Sequence, residues 1–188
     1  MKFVVGLFTV VTGFFLVACA GEEAADSAAK AEAPKDVNEV IRENIDYMPP
    51  LKDRNDDYAP ALPVVQNEYT AALMRDYWVF EFYVIKDVID VRFQNIGRWF
   101  QFNPDGTFSM GRWNEEIGVG SWKFEYRADK PYLILDSNIK GMDEIFQIQA
   151  LSGANDAFAL TGHTKDAEAI HIKMIHLLSM PTKGQFGY

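Results

Sequence analysis

Cysteine is almost absent from this chain: Cys19 is the only one in 188 residues. An intramolecular disulfide and a cysteine-built metal cluster are therefore excluded, and stability must come from packing. Basic residues are also in deficit, 18 against 27 acids, for a formal net charge of -9. Eleven of the acids fall in residues 22–57, against five basic residues. Nucleic acid and anionic lipid surfaces are poor partners for such a chain.

Catalytic signatures are missing too. No serine sits in a nucleophile elbow, and no glycine-rich phosphate loop precedes a helix. Histidine occurs three times, as His163, His171 and His176. His171 and His176 are five apart and point to opposite faces of a strand. His163 and His171 with Asp166 or Glu168 would be the one metal combination, but they flank a surface turn and read as solvated or interface histidines. Glu115, Glu116, Asp143 and Glu144 are the carboxylates to nominate for acid and base work, which needs two carboxyls at a controlled separation. Each pair is adjacent in sequence and beside glycine or a turn, so they read as loop solvation. No cofactor, no metal and no enzymatic activity are expected.

A membrane-spanning run is lacking as well. The apolar stretch at residues 3–17 is shorter than the ~20 residues that cross a hydrocarbon core, and an acidic, alanine-rich stretch follows it. It begins after Lys2, ends in Leu16-Val17-Ala18-Cys19 and is followed by the small Ala20. That pattern resembles a bacterial lipoprotein signal. The resemblance implies removal of residues 1–18, lipidation of Cys19 and attachment to a membrane through acyl chains. Loss of Lys2 would take the charge to 17 − 27 = −10. Ala20 in place of aspartate, with Glu22-Glu23 close by, resembles lipoproteins of an outer membrane, with the periplasmic and surface faces both open.

Residues 19–63 are rich in Ala, Glu, Asp and Lys and then in proline, a composition that cannot bury enough apolar surface to order itself. They are expected to be a flexible tether, with a short helix at residues 37–45 where Val37, Val40, Ile41 and Ile45 share a face. Tyr47, Met48, Leu51, Tyr58, Leu62 and Val64 are more than a spacer needs, so part of the tether is expected along the domain or along a partner. Asp53, Asn55 and Asp57 match the first ligands of a calcium loop, but Tyr58 and Val64 stand where its glycine and glutamate belong.

Residues 64–188 carry the folded domain. A short amphipathic helix is expected from Tyr69, Ala72, Leu73 and Asp76, and from Trp78 the period changes to two. Trp78, Phe80, Phe82 and Val84 alternate with Val79, Glu81, Tyr83 and Ile85. Residues 85–96 are open between strand and helical crossing. Residues 97–113 form the clearest hairpin, closed by Asn103-Pro104-Asp105-Gly106, in which proline presets one angle and glycine takes the left-handed one. Gly120, Trp122, Phe124 and Tyr126 alternate toward a turn at residues 128–131, and strands follow at 132–135, 145–151, 157–162 and 169–178, with turns at 152–156 and 165–166. Gly118 and Gly120 read as strand glycines that allow close approach. An all-β, antiparallel up-and-down barrel of about eight strands is the first expectation, because closure removes the edges; a β-sandwich is the second.

The succession RWFQFNPDGTF, GVGSWKF, LIL and FQIQALSGANDAFALTG resembles the lipocalin-like domains of small bacterial lipoproteins, especially those of Bacteroidota, over residues 76–178. The resemblance implies a barrel and a small hydrophobic ligand, held here among Phe80, Phe102, Phe108, Trp122 and Phe124. The other reading of the aromatics is a docking surface. If the phenylalanine faces point inward, Trp99 and Trp113 point outward as a docking surface for protein, glycan or lipid; in the opposite register they line the cavity. Two functions follow: a membrane-anchored, non-enzymatic accessory subunit that binds an envelope partner, or a carrier of a small hydrophobic ligand.

Overall fold

A computed structural model describes residues 57–88, 90–163 and 169–188, and single positions 36, 39, 42, 43, 45 and 46 before them; all belong to one unit spanning residues 35–188. The expected lipidation at Cys19, most of the helix at 37–45 and the turn at 165–166 lie outside the described residues.

Eight strands form in the order the alternation predicts. They are β1 (Tyr77–Ile85), β2 (Arg98–Phe102), β3 (Thr107–Arg112), β4 (Glu115–Arg127), β5 (Lys130–Ser137), β6 (Glu144–Leu151), β7 (Ala157–His163) and β8 (Ala169–Leu177). Each pairs antiparallel with the next, and β8 returns to β1, so the sheet is a closed up-and-down barrel. Two short helices complete the frame, α1 (Glu68–Leu73) before β1 and α2 (Asp90–Asn95) between β1 and β2. A single 3₁₀ turn, Lys183–Phe186, follows β8.

The phenylalanine faces do point inward. Phe80, Phe100, Phe102, Phe108, Trp122, Phe146 and Phe158 are buried in one cluster, with rings tilted, edge-on or stacked at 4.7–6.2 Å from their neighbours. Offset and edge-on contacts of this kind add to plain area burial. The β2–β3 turn closes as its residues dictate: Gly106 takes φ +85°, and its N–H donates to the Asn103 carbonyl at 3.1 Å. Gly120 is required for a second reason. A Cβ there would lie 2.1 Å from the Asp136 carbonyl oxygen and 2.7 Å from the Phe108 ring.

The even alternation expected across β1 is broken. The register shifts between Phe80 and Phe82, a bulge that turns Phe82 out to 39% exposure and brings Tyr83 and Ile85 inside. One inserted residue inverts every later side chain of a strand, because the period is two. Residues 85–96 resolve in favour of a helical crossing. Glu115 and Glu116 start β4 and are not in a loop, and the turn after β4 is only Ala128-Asp129, both left-handed, with Pro131 already in β5.

One end of the barrel is plugged. Asn67 caps α1 by accepting from the Tyr69 and Thr70 N–H groups, and Thr70 Oγ1 accepts from Asn67 N at 2.8 Å. This reciprocal capping fixes a helix too short to stand alone. Leu73 is then buried in the core, Tyr69 stacks on Phe124 at 5.6 Å, and Trp78 Nε1 donates to the Ala72 carbonyl. Residues 57–67, which take in the last part of the expected tether and the start of the expected domain, lie along the same end as a strap. Ala59 N donates to Asp136, Val64 N donates to the Pro104 carbonyl, and the Leu62 backbone passes over Gly106.

Candidate functional site

The other end of the barrel holds a cavity of about 400 Å³. Its walls are the mouth-side ends of the strands: Tyr83 and Ile85 of β1, Arg98 of β2, Arg112 of β3, Ile117 of β4, Glu144 and Phe146 of β6, and Ile170 of β8. Val91, Gln94 and Asn95 of α2, with Met142 and Asp143 of the β5–β6 loop, line it from above. Sites of this size, part apolar with a few fixed polar groups, suit a small molecule.

Arg98 is the unexpected feature. It precedes Phe100 and Phe102 on the same face of β2, so the period of two carries a guanidinium into the barrel, where the residue is 5% exposed. Its Nη1 donates to Glu144 Oε1 at 2.9 Å and to Asn95 Oδ1 at 3.2 Å. Its flat face rests over Phe100 at 5.0 Å and Phe80 at 5.6 Å, so the floor beneath the charge is aromatic. Arg98 Nε and Glu144 Oε2 are buried without a hydrogen-bond partner among the described residues. A buried donor or acceptor left unmet costs about 1–3 kcal/mol, so these two atoms mark a place where bonding capacity is held in reserve.

Glu144 was expected to be loop solvation. Instead it begins β6 with its side chain 13% exposed. Burial raises its pKa, Arg98 pulls it back by charge and hydrogen bond, and Asp143 adds to the rise. Burial likewise raises the Tyr83 phenol, helped by Glu144 and opposed by Arg98. A carboxyl raised in the native state binds its proton more tightly there than in the unfolded chain. Its contribution to stability is therefore greatest at low pH and falls as pH rises from about 4.3, the ordinary glutamate value, through its native value. Urea midpoints measured between pH 4 and 8 are expected to show this decline, and Glu144→Gln to flatten it.

Protein-family models, curated proteins and solved structures contain no match to this chain. The site must be read from its own geometry.

The expected ligand set does not line the mouth. Phe80, Phe102, Phe108 and Trp122 are packed against one another in the interior, and Phe124 is half-buried against α1. The correction has a simple cause: eight strands bring in enough aromatic volume to fill the plugged half of the barrel, so space remains only where Arg98, Glu144 and shorter side chains face inward. Trp122 and Phe124 also line a groove between the strap and β4–β5.

Trp99 and Trp113 were expected as an exposed docking pair, and that too is corrected. Trp99 lies on the outer face of β2 but is only 1% exposed, set edge-on to Tyr77 at 5.3 Å with Nε1 donating to the Trp113 carbonyl. Trp113, 7% exposed, takes φ +52° at the β3–β4 turn and packs with Ile45, Phe93, Ile96 and Phe186. Segments from both sides of the barrel in sequence cover Trp113, which strand periodicity alone does not disclose.

Of the three histidines only His163, at the end of β7, lines the mouth, and Asp166 and Glu168, weighed with it for a metal, lie outside the described residues. His176 pairs with Asp76 at 3.0 Å near the plugged end, while His171 is exposed on β8. Among the described residues, no group of three His, Cys, Asp or Glu side chains is placed to hold a metal ion.

Proposed function

We propose that this protein is a membrane-anchored, lipocalin-like carrier that holds a small amphipathic molecule in the open mouth of its barrel. The observation that supports the reading is the buried Arg98–Glu144 pair, with one unmet donor and one unmet acceptor, facing a cavity of about 400 Å³. A purely structural core gains nothing from such groups, since well-packed apolar residues of similar volume do as well or better. The anchor rests on the resemblance of residues 1–19 to a lipoprotein signal.

Native mass spectrometry of the lipidated protein, taken from its own membrane in mild detergent, tests the reading. The expected spectrum shows a small extra mass that survives gentle conditions and leaves on denaturation. Met142→Trp, which puts an indole into the mouth from a loop, is expected to remove that mass and leave the fold intact. A barrel that is bare under every gentle condition would sink the carrier reading.

A second reading, an accessory subunit docked on an envelope partner, has one observation in its favour. Leu62 and Val65 of the strap are 73% and 81% exposed beside the groove lined by Trp122, Phe124 and Ile134. Exposed apolar side chains grouped at a groove fit a protein contact. Under this reading a protein of fixed stoichiometry co-purifies from the membrane, and Leu62→Asp with Val65→Asp releases it.

A further inference from the structure

Resting on the carrier reading, we infer that the mouth selects an electrically neutral head group that both donates and accepts hydrogen bonds, such as a primary amide, over a carboxylate or an ammonium on the same chain. Apart from the imidazole of His163, the charges on the described walls balance: Arg98 and Arg112 against Asp143 and Glu144. Two of these are committed elsewhere. Arg112 donates to the carbonyls of Ile96, Phe93 and Ile45, and Asp143 Oδ1 accepts from Ser137 N at 2.9 Å. The remaining pair, Arg98 and Glu144, already neutralises itself at 2.9 Å, so a ligand charge of either sign would enter with no counter-charge waiting for it.

What the pair still offers is one N–H at Arg98 Nε and one acceptor at Glu144 Oε2. Both are shielded from bulk water, so they gain partners only from a group that enters the cavity and against which the pair resettles. A carboxylate would meet the donor but be repelled by the glutamate. An ammonium would meet the acceptor but be repelled by the arginine. A neutral amide supplies a carbonyl for the one and an N–H for the other. The apolar remainder of such a ligand is matched by Ile85, Val91, Met142 and Ile170 on the same walls. Polar groups fixed in a low-dielectric site discriminate strongly, because a mismatched ligand leaves them unpaired.

The test uses the full chain in dodecyl maltoside at pH 7, titrated separately with octanamide, octanoate and octylammonium at matched free concentrations. Binding is followed through the amide NMR shifts of Glu144, Phe146 and Ile170, which report the mouth and not the micelle. The expected result is a dissociation constant for octanamide at least about ten-fold below those of the other two, saturating at those amides. Tighter binding of octanoate or octylammonium would overturn the head-group inference while leaving the cavity a ligand site. Absence of binding by all three would overturn both. In Glu144→Gln the arginine loses its counter-charge, and preference is expected to pass to octanoate; a variant still preferring octanamide would also overturn the inference.

Discussion

Replacing Arg98 by methionine is expected to destabilise the barrel by about 3–5 kcal/mol, the usual consequence of leaving one member of a buried pair without its partner. The stranded group is Glu144, already short of one hydrogen bond and set against Phe146 and Ile170 at the mouth. The double variant Arg98→Met with Glu144→Leu is expected to recover most of that loss and to lie within about 1 kcal/mol of the native chain, since taking both charges out also removes both desolvation penalties. Guanidinium unfolding of the two single variants and the double variant measures the coupling directly. Additive losses would mean that the two side chains act independently. A stable double variant that no longer distinguishes octanamide from octanoate would separate the two roles: the pair would be kept for recognition at no gain in stability.

The barrel was legible because its signals are local. Period-two alternation of aromatic and β-branched residues fixed the strands, and Asn103-Pro104-Asp105-Gly106 fixed the register of the hairpin it closes. Phe100 and Phe102 opposite Phe108 and Met110 then had to share one face, as they do. What could not be read depends on single insertions and on remote segments. The bulge in β1 has no glycine or proline to announce it, and it decides that Tyr83 faces the cavity and Phe82 the outside. Burial of Trp113 brings in Ile45 and Phe186, more than a hundred residues apart in sequence. The site itself left a trace that was open to view: an arginine in phase with Phe100 and Phe102. A charge on the apolar face of a strand is the pattern that points to a buried polar site, and its partner, Glu144, was hidden only because the turn before β6 ends one residue earlier than its composition suggests.

Arg112→Met is expected to carry the other large effect, about 3–5 kcal/mol, from a residue that never needs to touch a ligand. The guanidinium is 1% exposed and binds the carbonyls of Phe93 and Ile96, at the end of α2 and just beyond it, together with the carbonyl of Ile45. Hydrogen bonds from a charged donor contribute roughly 1.5–3 kcal/mol each and are not additive, and truncation leaves these carbonyls to find water or stay unmet. Trp113 Nε1 donates to the same Ile45 carbonyl at 3.2 Å, so indole and guanidinium together pin the chain before the strap to the rim of the mouth. The arginine thus fastens α2, whose Val91, Gln94 and Asn95 roof the cavity, to β3 and to the incoming tether. Loosening it should open the roof before it unfolds the barrel. Hydrogen exchange is expected to quicken first at residues 91–97, with β4 and β5 still protected, and octanamide affinity is expected to fall at denaturant-free conditions where the barrel remains folded. Uniform loss of protection over all eight strands would instead make Arg112 a part of the global core, with no separate control over the mouth.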